Sequence, residues 1–355
     1  MKTYLRPTGF VDAPFGYDGR VARLAGGLLW FSAVEWIVAD AGRRVSAELV
    51  PVAEIEARLD GDTAAIWARL TGPRAPLRLG ERVVRLDQPQ VVGILNATPD
   101  SFSDGGAYDG PEAAANAGAD MAAAGAAIVD VGGESTRPGA KPVWEGDEIA
   151  RVRPVIERLA RGGTAVSVDT RKAVVMRAAL EAGAGMVNDV SGLSFDPQAA
   201  GIVAEAGCPV VIMHMIGTPE TMNAEAAYGD VLLDVYDQLE ARVAAAEAAG
   251  IARDRIVVDP GIGFAKTLTH NLRLLGGLAL FHGLGCAVML GASRKRMIGA
   301  LADEAPAGGR LGGSLALALK GAEAGVQLHR VHDVRETVQA LKVWRGMRDV
   351  ALTPG

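Results

Sequence analysis

Between Val91 and His332 the chain repeatedly runs a short apolar stretch into a polar group able to do chemistry. These groups are Asn96, Asp130 with Glu134, Asp169, Asn188, His214, Asp259, Ser293 with Lys295, and Arg330 with His332. Asp169, Asn188 and Asp259 form a first set. A carboxylate accepts two parallel hydrogen bonds from an amidine-like edge, and an amide reads a neighbouring donor and acceptor. The set therefore suits a flat heterocycle. Thr136, Arg137, Lys295, Arg330 and His332 form a second set, whose forks and point charges suit phosphate-type oxygens. Read blandly, the same cations form a barrel-top salt-bridge network with the acids, to which Arg171 and Lys266 are further candidates. Arg330 and His332 are two apart on one strand and so share a side. The third feature is a pair of Gly- and Pro-rich loops, Pro99–Gly106 and Gly132–Gly139. Glycine lets backbone N–H groups approach an anion, and such loops can close over a substrate. Taken singly, each acid reads equally well as a capped turn or an internal ion pair, and Asp259-Pro260-Gly261 as a simple turn. His214, between Met213 and Met215, reads as structural. Met213 offers an apolar lining for a flat ring.

The elements that must position these groups are legible as an alternation. The stretch VVGIL (91–95) is a buried-strand pattern. Further apolar runs follow at 127–131, 165–168, 186–190, 209–213, 255–259, 287–290 and 326–331. Each precedes a helical pattern, and Gly125, Gly183, Gly207, Gly250 and Gly325 stand where helices end. Eight βα units over about 260 residues predict a closed (β/α)8 TIM barrel. In that fold the strand ends form the mouth where ligands bind. A doubly wound open sheet is the runner-up, but no G-x-G-x-x-G follows the first strand. Residues 89–355 are read as the barrel. Residues 1–88 are read as a small N-terminal α+β subdomain without a chemical motif. There Gly26–Ala39 suggests strands and Val52–Trp67 a helix broken at Asp60-Gly61.

Composition narrows the classes. The 355 residues are 49% hydrophobic and 5% aromatic, which suits an α/β core. A net charge of -6 without a basic block argues against a nucleic-acid partner. Cys208 and Cys286 are far apart and read as buried free thiols. The first twenty residues lack the apolar core of an export signal, and Leu24–Ala39 is too short and too polar at Glu35 to span a bilayer. The expectation is a cytoplasmic protein with no membrane partner. No Ser/His or Cys/His arrangement marks a nucleophile.

Residues 91–106 and IVDVGGESTRPGA (128–140) resemble the two signature stretches of the dihydropteroate synthase family. SVDTRK (167–172), VNDVSG (187–192), VIMHM (211–215), VDPGIGF (258–264), GASRKRMIG (291–299) and HRVHDV (329–334) are similar to later family blocks, in the same order. The resemblance spans about residues 90–350. Two departures, Ala97 for the usual Val and Ala265 for the common Gly, remove no polar group. It implies a Mg²⁺-dependent condensation of 6-hydroxymethyl-7,8-dihydropterin diphosphate with p-aminobenzoate, releasing pyrophosphate. It further implies roles for individual residues. Asn96 would hold Mg²⁺. Asp169, Asn188 and Asp259 would read the pterin edge, with Lys295 against the ring and Phe264 and Met213 lining its slot. Thr136, Arg137, Arg330 and His332 would hold the diphosphate. Ser293, Lys295, Phe102 and Pro138 would frame the aminobenzoate. Asp169, Lys295, Arg330 and His332 would act on the reacting groups. A homodimer through the last helices is implied by the family alone. The nearest alternative is a corrinoid-linked, pterin-binding methyltransferase, which shares the acids and amide but has no use for the anion set. A barrel that binds pterin without turnover is the reading from another class.

Overall fold

A computed structural model describes residues 1–97, 110–135, 142–217 and 227–353. Its first strands are β1 (Lys2–Val11), β2 (Ala22–Arg23), β3 (Trp30–Asp40) and β4 (Arg43–Pro51). They form an antiparallel sheet in which β3 pairs with all the others. The helices α1 (Val52–Ile55) and α2 (Gly61–Thr71) follow. Asp60 closes a capping box on α2: its carboxylate accepts from the Thr63 amide, and the Thr63 hydroxyl accepts from the Asp60 amide. The Asp-Gly break predicted in this region is thus a helix start.

After a hairpin of β5 (Leu77–Leu79) and β6 (Arg82–Val84), eight parallel strands close a barrel. They are β7 (Gln90–Asn96), β8 (Ile128–Gly132), β9 (Val166–Asp169), β10 (Met186–Asp189), β11 (Val210–Met213), β12 (Ile256–Asp259), β13 (Ala287–Leu290) and β14 (Leu328–Val331). β14 pairs back onto β7, with Arg330 beside Val92. The helices between and after them are α3 (Pro111–Ala123), α4 (Glu145–Arg161), α5 (Ala173–Glu181), α6 (Ala199–Ala206), α7 (Val231–Ala248), α8 (Leu268–Gly276), α9 (Arg296–Leu301), α10 (Leu311–Ala322) and α11 (Val334–Ala351). The TIM barrel and its N-terminal strand subdomain are as predicted. One predicted helix, 271–281, instead splits at Gly277 into α8 and a 3-10 turn over Leu278–Leu284.

Strand alternation sorts the side chains. Val129, Val131, Val166, Val168, Val187 and Val258 join the large core that also holds the helices' buried faces. The intervening residues Val92, Ile128, Met186, Val211, Met289 and Leu328 cluster with Leu77, Leu79, Val84 and Leu86. The β5–β6 hairpin is therefore a plug for the barrel's lower end. One pleat higher, the same inward positions become Asp130, Ser167, Asn188 and Arg330. That step from an apolar to a polar layer is what makes the upper mouth a site.

The N-terminal sheet shares its core with the barrel. Leu5, Phe31, Val34, Ile66 and Leu70 are buried in one cluster with Val331, Val334, Leu341 and Trp344. Tyr4 stacks edge-on against Tyr236 at 5.5 Å, and its hydroxyl bonds Asp237 on α7 at 2.9 Å. On the far side Arg348 of α11 donates to the carbonyls of Val11 and Leu28 and to Asp12.

Candidate active site

Asp130 is the hub of the upper mouth. It is 1% exposed and sits between two valines of β8, both turned to the helices. Its Oδ1 accepts from Ser167 Oγ at 2.5 Å, and its Oδ2 from Asn188 Nδ2 at 2.9 Å and Arg330 Nε at 2.7 Å. Arg330 Nη2 donates to Asp169 Oδ2 at 2.6 Å. Two strands, β8 and β9, thus converge on one guanidinium from β14. Burial opposes charge on Arg330, but Asp130 and Asp169 together outweigh it and hold its pKa above the usual range. Removing one partner of such a buried pair leaves an uncompensated charge, at a cost of about 3–5 kcal/mol.

Asp169 is left half-satisfied. Its Oδ1 is buried and has no hydrogen-bond partner among the described residues. Burial pushes its pKa from 3.8 up to about 7, against the pull of Arg330 and with the push of Asp130. A buried acceptor without a donor costs free energy. A ligand N–H would recover it. Asp259, at the end of β12, is also raised by burial, and it accepts from the Gly261 amide at 2.7 Å. Gly261 is required there. It has a φ of +68°, and a Cβ would lie 2.0 Å from the His214 carbonyl oxygen.

An apolar slot adjoins these acids. Met213 and Phe264 are buried in one cluster with Val190, Met215 and Ala265. The Lys295 amine lies 4.0 Å from the Phe264 ring centroid, a cation–π distance. Burial, and then repulsion from Arg330, bring Lys295 down to about 8. His332 Nδ1 lies 3.1 Å from Ser293 Oγ, and its amide donates to the same oxygen. Burial, with Arg294 and Arg330 nearby, lowers His332 to about 4, so it is neutral at pH 7. Arg294, at a φ of +57°, turns away to pair with Asp333, which ties the β13 and β14 loops together. Asn96 ends β7 with the same parity as the inward-facing Val92, and its side chain carries one amide oxygen. Among the described residues no three His, Cys, Asp or Glu side chains gather for a metal. Mg²⁺ bound through one protein oxygen and substrate phosphates needs no such cluster, so a single amide oxygen fits it.

A profile of the pterin binding enzymes matches residues 92–332. The chain belongs to the dihydropteroate synthase family. It is 47% identical to the dihydropteroate synthase of Escherichia coli K12 over 259 residues, 73% of this chain and 91% of that one. The solved dihydropteroate synthase of Xanthomonas albilineans with 4-aminobenzoic acid is 46% identical, with a TM-score of 0.74. It is covered over 100% of its length by 79% of this chain. The same enzyme in complex with 7,8-dihydropteroate gives 44% identity and a TM-score of 0.71, with 79% and 100% coverage.

Within this family frame, Asp169, Asn188, Met213, Asp259, Phe264, Ser293, Lys295, Arg330 and His332 come together around one mouth. Thr136, Arg137, Phe102 and Pro138 lie outside the described residues. Of the two candidates for a barrel-top ion-pair network, Arg171 joins it and Lys266 bonds no acid among the described residues. Arg171 lies 3.4 Å from Glu134, and its guanidinium stacks on Phe195 at 4.2 Å. Lys266 bonds His214 Nδ1 at 2.9 Å. His214 is structural, as its sequence context suggests: burial lowers it to about 2, and its Nε2 bonds Gln238 at 3.1 Å. Sequence reasoning noted Asp130 at a strand end but gave it no role. The usable signal was its parity with Ile128 in a strand whose other residues are apolar. Glu148 and Lys172 were also missed. Lys172 Nζ bonds Glu148 at 2.6 Å, Glu134 at 3.1 Å and the Val143 carbonyl at 2.6 Å. A residue within α4, sixteen positions from the nearest strand, carries no sequence mark of that pairing.

Proposed function

We propose that this mouth condenses 6-hydroxymethyl-7,8-dihydropterin diphosphate with p-aminobenzoate, giving 7,8-dihydropteroate and pyrophosphate. The observation that carries the reading is the orphaned Asp169 Oδ1 beside Asn188 and Asp259, with an apolar slot alongside. A pterin edge supplies the N–H donors that this layer lacks, and its faces fit between Met213, Phe264 and the Lys295 amine. Asp169, Asn188 and Asp259 read the edge. Arg330 spends Nε and Nη2 on the two acids and Nη1 on neither. It and His332, with Thr136 and Arg137, hold the diphosphate. Ser293, Lys295, Phe102 and Pro138 frame the aminobenzoate.

The substitution is dissociative. The methylene C–O bond breaks first and its electron pair leaves with the diphosphate. The methylene left behind is electron-poor and conjugated to the pterin, and the Asp169 carboxylate stabilises it electrostatically. The aryl amine then forms the C–N bond and sheds a proton. No protein nucleophile takes part. Asn96 would hold a Mg²⁺ ion, which when bound supplies charge neutralisation to the leaving oxygens. A corrinoid-linked methyltransferase would have no use for Arg330 and His332 at a diphosphate position, and the family relationship favours the synthase over it. Among the described residues no helix is long and apolar enough to cross a membrane. A homodimer is supported by Val343, Met347 and Val350, an exposed apolar stripe on α11 at helical spacing.

The test is pyrophosphate release from the pterin diphosphate with Mg²⁺, with and without p-aminobenzoate. Release that requires p-aminobenzoate and yields dihydropteroate is expected. Tight pterin binding with no release under any condition would leave a binding barrel instead.

A further inference from the structure

The reading above gives Lys266 and His214 no task, yet both lie at the rim of the ring slot, His214 buried and Lys266 half-buried. The Lys266 amine lies 2.9 Å from the Phe264 carbonyl, 2.9 Å from His214 Nδ1 and 3.5 Å from the His214 carbonyl. The amine donates and Nδ1 accepts, so the His214 proton sits on Nε2 and is given to Gln238 on α7. Arg242 donates to the carbonyls of Met213 and Met215 at 2.6 and 2.7 Å, on either side of His214. His214 is therefore a fixed anchor at the end of β11.

The loop held by that anchor is not relaxed by itself. Ala265 has a φ of +50°, in the left-handed region that alanine disfavours. Its carbonyl is tied by the Tyr228 hydroxyl at 3.0 Å. Lys266 grips the carbonyl one residue earlier, on Phe264 itself. The Phe264 ring is the surface against which the Lys295 amine lies. The chain of contacts runs from β11 through His214, Lys266 and the strained loop to the ring.

We propose that Lys266 is a positioning residue for the pterin slot: it clasps the loop after β12 to His214 and thereby sets the Phe264 ring against Lys295. The proposal rests on the synthase reading for its kinetic consequence, but its structural consequence can be read without any ligand.

The test uses the full-length protein and the variants Lys266→Met, Lys266→Arg and Tyr228→Phe. Lys266→Met is expected to raise KM for the pterin diphosphate, and Kd for 7,8-dihydropteroate by calorimetry, about tenfold, the loss of roughly one charged hydrogen bond. KM for p-aminobenzoate should stay within about threefold, because the clasp acts on the ring slot. Lys266→Arg should recover most of the loss. Tyr228→Phe should move the same constants in the same direction by less. In labelled protein, the Lys295 methylene proton signals, shifted by the Phe264 ring, should move toward random-coil values in Lys266→Met. Unchanged pterin constants in a folded Lys266→Met variant would overturn the proposal, as would equal losses for both substrates. Should Lys266→Met fail to fold, Tyr228→Phe decides: a pterin-selective rise supports the clasp and no change overturns it. If the wild-type protein binds no pterin, the synthase reading fails, and the Lys295 signals alone decide the clasp, using Tyr228→Phe where Lys266→Met does not fold.

Discussion

At the scale of residues, the site is a contest over one buried carboxyl. Asp169 is pulled toward ionisation by Arg330 and toward neutrality by burial, and burial wins. The folded carboxyl sits near 7 and the unfolded one at 3.8, so the folded state binds the extra proton between those values. Without ligand, this group's contribution to stability therefore falls as pH rises from about 4 to about 7. A pterin N–H facing Oδ1 favours the ionised form and lowers that pKa. Binding of 7,8-dihydropteroate at pH 6.5 should thus expel a fraction of a proton. Calorimetry in two buffers of different ionisation enthalpy measures it, and Asp169→Asn should abolish it while weakening binding. Proton uptake in the wild type would contradict the assignment. Asp169, Asn188 and Asp259 were legible because each breaks an apolar strand at its end. Asp130 was visible in the same way, but its partnership with Arg330 joins residues 200 positions apart. No local pattern encodes which of several acids a distant arginine will choose.

At the scale of elements, the strands were readable to within a residue or two, because valine-rich runs buried on both faces have few alternatives. The loops that follow them were readable in composition but not in shape. The turn after β12 shows why. Gly261 and Gly263 both adopt positive φ, and Ala265 follows them there without glycine's freedom. The sequence displays the glycines, but not the His214 carbonyl that leaves no room for a Cβ. Gly261→Ala should therefore strain both backbones, at a cost of about 1–3 kcal/mol. It should lower Tm by several degrees and raise KM for the pterin substrate, because Asp259 and Phe264 flank the turn. Scanning calorimetry and steady-state kinetics check this. A variant with unchanged Tm would mean the turn relaxes freely and does not position the slot.

At the scale of the whole molecule, the open question is residues 1–88. Their sequence shows strands and a broken helix but no chemistry, and the structure gives them two separate jobs. The β5–β6 hairpin seals the lower barrel, while the sheet before it extends the core over α11. Leu77, Leu79 and Val84 are buried, and each contributes on the order of 1.5–3 kcal/mol. We expect deletion of residues 1–85 to cost much more stability than deletion of residues 1–73, which spares the hairpin. Thermal melts of the two truncations would show it, and equal melts would remove the hairpin's role as a seal. Any truncation that stays folded should keep pterin binding, since no residue before Asn96 is assigned to the site.

The clamp between Arg348 and the segment around Val11 and Leu28 has a consequence for how the protein is made. The segment around Val11 and Leu28 is closed by a helix that is synthesised much later. Leu5, Phe31 and Val34 have no partner in Leu341 and Trp344 until α11 has emerged. At about 5–20 residues per second, that leaves them uncovered for roughly 15–60 s. The N-terminal sheet thus calls for chaperone cover over that interval, and it reaches its final packing only once α11 has been made.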